Sequence, residues 1–107
     1  MNDVLHLDDD SFEGQISESE LPVLVDFYGD RCPPCEMLVP IFSEMAQDYR
    51  GRVIFAKLNA SRNARISQQV DIRGTPTLIL FKKGAAADTI IGLRPEKELR
   101  EWLDSAL

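Results

Sequence analysis

The sequence predicts an α/β protein with a mixed five-stranded sheet flanked by four helices. Strand-like stretches first alternate with stretches whose apolar residues recur at helical spacing, which gives the order βαβαβα. The last two strand candidates are instead separated only by a Lys83-Gly84 turn, and a helix follows them. Strands joined through helices lie parallel and strands joined by a short turn lie antiparallel. The sheet is therefore expected to be mixed, with helices covering its faces.

The chain begins with a strand, a short helix and a second strand. Val4 to Leu7 is a short apolar run, and Ser11, just ahead of an apolar residue, resembles the capped start of a helix. Residues 23–28 read VLVDFY, in which β-branched and aromatic residues fill almost every position. This pattern predicts a buried strand, with Asp26 as its one unexpected residue.

A long amphipathic helix is predicted from about Pro34 to Tyr49. Apolar residues recur in it at spacings of three and four, namely Met37, Leu38, Ile41, Phe42, Met45 and Ala46. Pro40 lies inside this helix, and a kink is expected there because proline removes a backbone hydrogen bond.

The remaining elements lead to the terminal hairpin and helix. They are a strand over 53–59, a short polar helix over 64–70, strands over 77–82 and 88–91, and a helix over 95–106. Pro95 lies in the first turn of the last helix, where proline is tolerated. No repeat or linker interrupts the 107 residues, so a single domain over 1–107 is expected.

Composition limits the expected partners and location. The net charge of −6 disfavours nucleic acid, because phosphate binding requires clustered Lys and Arg. No window reaches the ~18 uncharged apolar residues of a membrane span. The N-terminus lacks the basic start and apolar run of a signal peptide, so a cytoplasmic protein is expected.

Both cysteines lie in one short segment, DFYGDRCPPCEM, from Asp26 to Met37. Cys32 and Cys35 follow a strand candidate and open a helix candidate. The unpaired N–H groups and the dipole of a helix N-terminus stabilise negative charge, so Cys32 is expected to form a thiolate readily. The spacing lets the second sulfur reach the first, so the pair can close to a disulfide and reopen. The pattern indicates dithiol exchange, in which Cys32 attacks and Cys35 resolves.

Three simpler roles for the cysteine pair have less support. A structural disulfide would close too short a loop to stabilise the fold much, and a cytoplasmic chain would keep it reduced. A structural zinc site needs about four ligands, and only His6 could join the two cysteines unless a dimer supplied more. Two cysteines without a role would not account for the prolines between them. Neither a metal nor a bound cofactor is expected.

Several motifs in one register resemble the thioredoxin family over Val4 to Leu107. VDFYGDRCPPCEM resembles the active-site segment of that family, and KLN at Lys57 to Asn59 resembles its third strand. IRGTPTLILFKKG at 72–84 resembles its cis-proline loop and the strand that follows. The resemblance implies a thioredoxin fold and dithiol chemistry.

Asp26 is a candidate general base. Burial among apolar residues disfavours the charged carboxylate, so its pKa is expected to be raised toward neutral pH. Lys57, on a neighbouring strand candidate, is its candidate partner, and a plain buried ion pair is the alternative. The resemblance implies that Asp26 helps to deprotonate Cys35 when the mixed disulfide resolves, and that Lys57 tunes it.

The sequence alone makes Pro76 only a proline at the start of a strand. The resemblance implies that the Thr75–Pro76 bond is cis and lies against the cysteines, which leaves the Thr75 backbone free to pair with an extended substrate. Gly92 matches another small position of that surface. The residues implied for substrate contact are Tyr28, Arg31, Pro34, Gly74, Thr75, Pro76 and Gly92.

The segment departs from the family pattern around Cys32. Pro33 replaces a glycine, which fixes φ and removes one N–H that could stabilise the thiolate. Arg31 replaces a tryptophan, Glu36 replaces a lysine, and Tyr28 replaces a second tryptophan. The two new charges partly cancel. Oxidising relatives carry a histidine just before the second cysteine, where this sequence has Pro34, so the reduced form should not be strongly favoured. A reduction potential on the reducing side of the family, shifted slightly upward, is expected.

The resemblance implies a protein-disulfide reductase that acts through Cys32 and Cys35. Its expected partners are disulfide-containing protein substrates and thioredoxin reductase or a similar electron donor, and a monomer is expected. One alternative is a more oxidising thiol oxidase or disulfide isomerase. The other is a non-catalytic binding or assembly subunit, which the joint presence of both cysteines, Asp26 and Pro76 disfavours. The direction of electron flow stays open at this point.

Overall fold

Five strands form one sheet in the order β1-β3-β2-β4-β5 in the computed structural model, which describes residues 3–107. The strands are β1 (Val4–Leu7), β2 (Val23–Tyr28), β3 (Ile54–Asn59), β4 (Thr77–Lys82) and β5 (Ala85–Ile91). The helices are α1 (Phe12–Glu18), α2 (Pro33–Asp48), α3 (Ala64–Gln69) and α4 (Glu96–Ala106). Within residues 3–107, none of the helices combines the length and the apolar character needed to cross a membrane.

The prediction of a mixed five-stranded sheet with four helices is confirmed. β3 pairs in parallel with β1 and with β2, whereas β4 pairs antiparallel with β2 and with β5. β2 is the central strand of this arrangement. Its pairing with β3 places Asp26 opposite Lys57, and its pairing with β4 places Phe27 opposite Thr77.

The second strand of the hairpin starts earlier than predicted. β5 begins at Ala85 rather than at residue 88. Lys83 and Gly84 both have positive φ, 51° and 82°, which is the geometry of a tight two-residue hairpin turn. Strand pairing therefore resumes at once, between Lys82 and Ala85. The sequence did not indicate this, because alanine is a weak strand former.

The predicted cap of α1 is also wrong in detail. The helix does start after Ser11, but the Ser11 side chain makes no capping hydrogen bond to it. The Ser11 hydroxyl instead accepts a hydrogen bond from the Asp8 N–H, at 3.0 Å. The Asp8 carboxylate in turn accepts hydrogen bonds from the N–H groups of Asp10 and Ser11. These bonds close the turn between β1 and α1, a competing use of short polar side chains.

The core has two layers, one on each face of the sheet. Side chains of α2 and α4 pack on one face, and side chains of α1 and α3 pack on the other. Successive residues of a strand point to opposite faces, and in β2 Leu24 belongs to the first layer while Val25 and Phe27 belong to the second. The same alternation directs Asp26 and Tyr28 toward the face that α2 covers.

The topology brings four chain segments together along one edge of the sheet, the edge that the ends of its strands form. β2 and β3 are parallel, so both end at this edge, and β4 is antiparallel to them, so it starts there. β5 is antiparallel to β4 and therefore ends there as well. The segments that meet at this edge are the β2–α2 turn, the β3–α3 loop, the Thr75–Pro76 loop and the end of β5.

The buried face of α2 is expected to carry much of the stability of the fold. Met45 is 1% exposed, whereas Met37 on the same helix is 62% exposed. Met45→Ala should lower the free energy of unfolding by about 2–5 kcal/mol, because it removes buried atoms and leaves a cavity. Met37→Ala is the matched control and should change it by less than about 0.5 kcal/mol. Equal losses in urea unfolding of the two variants would contradict this packing.

Candidate active site

Cys32 and Cys35 form a disulfide at the N-terminus of α2. Cys32 is the N-cap residue, and Pro33 and Pro34 occupy the first two helical positions. Proline is tolerated there because those N–H groups have no partner within the helix. The Cys35 N–H donates a hydrogen bond to Cys32 Sγ at 3.2 Å, and the Glu36 N–H donates to the Cys32 carbonyl at 3.1 Å. Of the first three helical positions, only Cys35 therefore offers an N–H to the sulfur.

Both cysteines are largely buried in this disulfide form. Cys32 is 9% exposed and Cys35 is 4% exposed. The cysteine predicted to attack is thus the more exposed residue of the two, although by a small margin.

The turn between β2 and α2 is fastened to the β3–α3 loop. The Asp30 carboxylate accepts hydrogen bonds from Asn59 Nδ2 at 3.1 Å and from Arg62 Nε at 3.2 Å. The Asp30 N–H donates to Ser61 Oγ at 3.0 Å. The hydrogen bond from Asn59, more than any other interaction, lowers the pKa of Asp30, so its carboxylate remains charged.

Sequence reasoning missed this network. The available signal was not a local one: Asp30 follows the end of β2, and Asn59 closes the parallel neighbour β3. Arg31 completes the turn with a positive φ of 52°, and its exposed side chain immediately precedes Cys32. The turn therefore holds Cys32 in a fixed position at the start of α2.

Asp26 is the one buried carboxylate of the site. It is 3% exposed, and Oδ1 has no hydrogen-bond partner among the described residues. Burial raises the pKa of Asp26 to about 7, while the positive charge of Lys57 opposes the shift. The carboxyl lines a pocket of about 250 Å³ together with Cys35, Lys57 and Val39. Cys32 lines the same pocket, so the buried acid and both cysteines border one cavity.

Lys57 does not form the buried ion pair that was the alternative to its tuning role. None of the ion pairs within residues 3–107 joins Lys57 to Asp26, although the two are register partners on β3 and β2. Lys57 Nζ instead lies 5.4 Å from the centroid of the Tyr28 ring, within the range of a cation–π contact. Tyr28, Lys57 and Arg31 all line the Asp26 pocket.

The Thr75–Pro76 bond is cis, as the sequence resemblance implied. Thr75 lies directly against the disulfide, since its hydroxyl donates a hydrogen bond to Cys32 Sγ at 3.5 Å. The Thr75 carbonyl oxygen is 3.7 Å from the same sulfur. Pro76 itself is buried. The loop thus brings a hydroxyl and a carbonyl to the cysteine that is predicted to attack.

Further hydrogen bonds hold the Thr75–Pro76 loop in place. Thr77 Oγ1 donates to the Gly74 carbonyl at 2.6 Å, and the Gly92 N–H donates to the Pro76 carbonyl at 2.8 Å. Gly92 has φ of 93°, a conformation that favours glycine. A Cβ at Gly74 would come no closer than 3.9 Å to Ile91, so that position is not closed by packing within the chain.

The structure brings most of the predicted site residues together. Those that line the pocket or touch Cys32, Pro76 or one another are Cys32, Cys35, Asp26, Lys57, Tyr28, Arg31, Thr75, Pro76 and Gly92. Pro34 lies at the start of α2 with an exposed ring, and Gly74 precedes Thr75 on the loop. His6, the third candidate metal ligand, is exposed on the edge strand β1, with β3 between it and the cysteines.

Comparison with known proteins agrees with this geometry. A family model described as Thioredoxin matches residues 3–105. A thioredoxin of Acidithiobacillus ferridurans is 43% identical over 104 residues, which cover 97% of this chain and 96% of the relative. A thioredoxin of Rickettsia felis is 41% identical over 99 residues, which cover 92% of this chain and 94% of the relative. The chain belongs to the thioredoxin family, and it is a thiol-disulfide oxidoreductase with Cys32 and Cys35 as its redox pair.

Proposed function

We propose that this protein reduces disulfide bonds of protein substrates, with Cys32 as the attacking and Cys35 as the resolving sulfur. One observation supports it above the others. The Cys32–Cys35 disulfide closes the N-terminus of α2 between the Thr75–Pro76 loop and the pocket of Asp26. Dithiol exchange requires one sulfur that attacks the substrate disulfide and a second sulfur that then attacks the first, and this pair can supply both.

The reaction proceeds in two exchange steps. In the reduced protein, the Cys32 thiolate attacks one sulfur of the substrate disulfide, whose S–S bond breaks as a mixed disulfide forms. The other substrate sulfur leaves as a thiolate and takes up a proton. Cys35, once deprotonated, attacks Cys32 Sγ, and the mixed disulfide breaks as the Cys32–Cys35 bond forms. The second substrate sulfur leaves as a thiolate and takes up the second proton. Two electrons and two protons pass from the dithiol to the substrate.

Asp26 is the proposed base for the second step. Its pKa of about 7 allows it to hold or release a proton near neutral pH, and it shares a pocket with Cys35. Lys57 lies on the wall of this pocket and favours the charged carboxylate. The pocket is large enough for water, through which a proton can pass when the two groups are not in direct contact.

The substrate chain is proposed to bind in extended form along the Thr75–Pro76 loop. Backbone groups of Thr75 pair with it by strand addition. Gly74 and Gly92 flank the loop without side chains that would hinder its approach. Pro34 and Arg31 border Cys32 from the helix and from the preceding turn, where both side chains are exposed.

The oxidised protein needs an electron donor to act again. A thioredoxin reductase or a similar flavin-dependent enzyme is the proposed donor, and the cytoplasm is the proposed location because it keeps thiols reduced. A monomer suffices for this cycle, since one chain contains both sulfurs and the base.

Insulin reduction, with dithiothreitol or a coupled reductase, tests the proposal. The parent protein should accelerate it, and the Cys32–Cys35 pair should equilibrate with reducing rather than strongly oxidising glutathione buffers. Equilibration only with strongly oxidising buffers, without insulin reduction, would indicate a thiol oxidase or isomerase. No activity in either direction would indicate a binding subunit.

The two single cysteine variants should differ in whether they accumulate mixed disulfides with substrate proteins. Cys35→Ser leaves the attacking sulfur but removes the resolving one, so it should accumulate mixed disulfides with substrate proteins. Cys32→Ser is the matched control and should accumulate none, since the remaining sulfur is the more buried one. Non-reducing gels followed by mass spectrometry measure the adducts. Equal trapping by both variants would contradict the assignment.

Asp26→Asn should stabilise the oxidised protein in a pH-dependent way. With a pKa raised from 3.8 to about 7, folded Asp26 keeps a proton that the unfolded chain has released. The parent therefore loses about 4 kcal/mol of stability as the pH rises from about 4 to about 8, and the Asn variant does not. Urea unfolding across this range measures the growing difference, and Asp10→Asn, at an exposed position, is the control.

The same Asp26→Asn substitution should slow insulin reduction. A factor of about a hundred is expected near neutral pH, because a general base contributes roughly a hundredfold or more. A stability gain that does not change with pH would contradict the raised pKa. A variant that keeps the full rate would show that Asp26 is not the base.

A further inference from the structure

The Lys57 ammonium group lies near both a buried acid and an aromatic ring, and it contacts the ring. Lys57 is the register partner of Asp26 in the pairing of β3 with β2. Its Nζ atom nevertheless lies 5.4 Å from the centroid of the Tyr28 ring, within the range of a cation–π contact. Within residues 3–107 this ammonium group makes no ion pair and donates no hydrogen bond. The Tyr28 ring is therefore its one direct partner in that part of the chain.

The backbone of β2 fixes the Tyr28 ring beside the acid. Tyr28 and Asp26 are two residues apart on this strand, so their side chains point to the same face of the sheet. Tyr28 pairs in register with Asn59, and its carbonyl accepts a hydrogen bond from the Ala60 N–H at 2.7 Å. The side chains of Asp26, Tyr28 and Lys57 line one pocket. The ring thus has a fixed place from which it can hold the ammonium group.

Asp26 and Tyr28 compete for this single ammonium group. The flexible four-carbon stem of lysine lets the charge reach either neighbour. An ion pair with Lys57 would favour the charged carboxylate and would lower the pKa of Asp26. Instead, Asp26 Oδ1 has no hydrogen-bond partner in the described part of the chain. The charge of Lys57 acts on the carboxyl without direct contact, and burial outweighs it.

We propose that Tyr28 is a positioning residue, whose ring holds the Lys57 ammonium group in a cation–π contact and so keeps it from forming an ion pair with Asp26. The proposal rests on the function proposed above, in which Asp26 is the base that takes the proton of Cys35. A carboxylate held in an ion pair is a weaker base, because a proton must displace the ion pair. A base works best when its pKa lies near the operating pH. Tyr28 thereby leaves the carboxyl able to take up and release a proton near neutral pH.

The other ionisable groups around Asp26 and Lys57 are the same in the parent and in variants of Tyr28. The two cysteines are joined in the oxidised protein and do not titrate there. On the β4 side, the register partner of Asp26 is Leu78, which carries no charge. On the β1 side, the register partner of Lys57 is His6, which is exposed. The charged groups that line the pocket with Asp26 and Lys57 are Asp30, Arg31 and Glu36.

The test is a carbon-13 NMR titration of the Asp26 carboxyl in the oxidised protein. Tyr28→Leu removes the ring and keeps an apolar side chain, and Tyr28→Met takes its place should that variant not fold. Tyr28→Phe is the matched control, since it keeps the ring and removes only a hydroxyl that makes no hydrogen bond within residues 3–107. Lys57→Met removes the ammonium group. The double variant Tyr28→Leu, Lys57→Met completes a double-mutant cycle.

Tyr28→Leu should lower the titration midpoint of Asp26 by about half a pH unit to one pH unit, because the ammonium group leaves the lost ring for the carboxylate. Tyr28→Phe should keep the midpoint of the parent. Lys57→Met should raise the midpoint, because it removes the charge that opposes the effect of burial. When Lys57→Met is already present, adding Tyr28→Leu should leave the midpoint where it is.

Two results of the Tyr28→Leu titrations would overturn the proposal. One is a midpoint equal to that of the parent. The other is an equal downward shift with and without Lys57→Met, because the ring would then act on Asp26 directly, for example by excluding water. A shift in Tyr28→Phe as large as that in Tyr28→Leu would also overturn it, since the hydroxyl and not the ring would then matter.

Insulin reduction by the parent separates this proposal from the proposed function. An inactive parent contradicts the proposed function, and the NMR titration of the same protein still decides whether Tyr28 holds Lys57. An active parent with an unshifted Tyr28→Leu titration contradicts only the role of Tyr28. In an active parent, the acid-side midpoint of the rate profile should move to lower pH in Tyr28→Leu, together with the titration of Asp26.

Discussion

The pairing of β2 with both of its neighbours is the constraint on which the site depends. Parallel pairing with β3 brings Lys57 beside Asp26, and antiparallel pairing with β4 brings the start of that strand to the edge where β2 ends. Thr75 precedes β4 and Cys32 follows β2, so the two meet at this edge with 3.5 Å between hydroxyl and sulfur. A slip of one residue in the β2 register would turn Asp26 toward the opposite face of the sheet, away from α2 and the cysteines.

The same strand carries a conflict between stability and chemistry. Every β2 residue from Val23 to Phe27 is buried, and only Asp26 is ionisable. Its pKa near 7 means that the folded protein disfavours the ionised form, which costs stability at neutral pH. Lys57 relieves this only in part, because its ammonium group contacts the Tyr28 ring and makes no ion pair with Asp26. A buried acid that can exchange its proton near neutral pH is useful to a base catalyst and of no use to packing.

Much of this architecture was predictable from local pattern. The strand bounds of β4 were predicted correctly because a continuous apolar run ends at the Lys83-Gly84 turn, and Asp26 stood out because it interrupts the VLVDFY strand. The start of β5 was missed because it depends on the positive φ of both turn residues rather than on the alanines themselves. The Asp30 network and the contact of the Thr75 hydroxyl with Cys32 were missed for another reason. They join residues about 30 and 43 positions apart, so no local pattern contains them.

The environment of Cys32 is consequently a property of how the elements pack rather than of the CPPC segment alone. Pro33 and Pro34 have no backbone N–H, so the first two positions of α2 offer no hydrogen-bond donor. The donors that reach Cys32 Sγ are the Cys35 N–H in α2 and the Thr75 hydroxyl in the loop before β4. The nearby charges also belong to different elements, since Arg31 lies in the β2–α2 turn and Glu36 in the first turn of α2. Substituting between the cysteines changes only the helix contribution, whereas the position of Thr75 depends on the hydrogen bonds of Thr77 and Gly92. The electrostatic surroundings of Cys32 therefore depend on the residues that pack against it from other elements as well as on the four-residue segment itself.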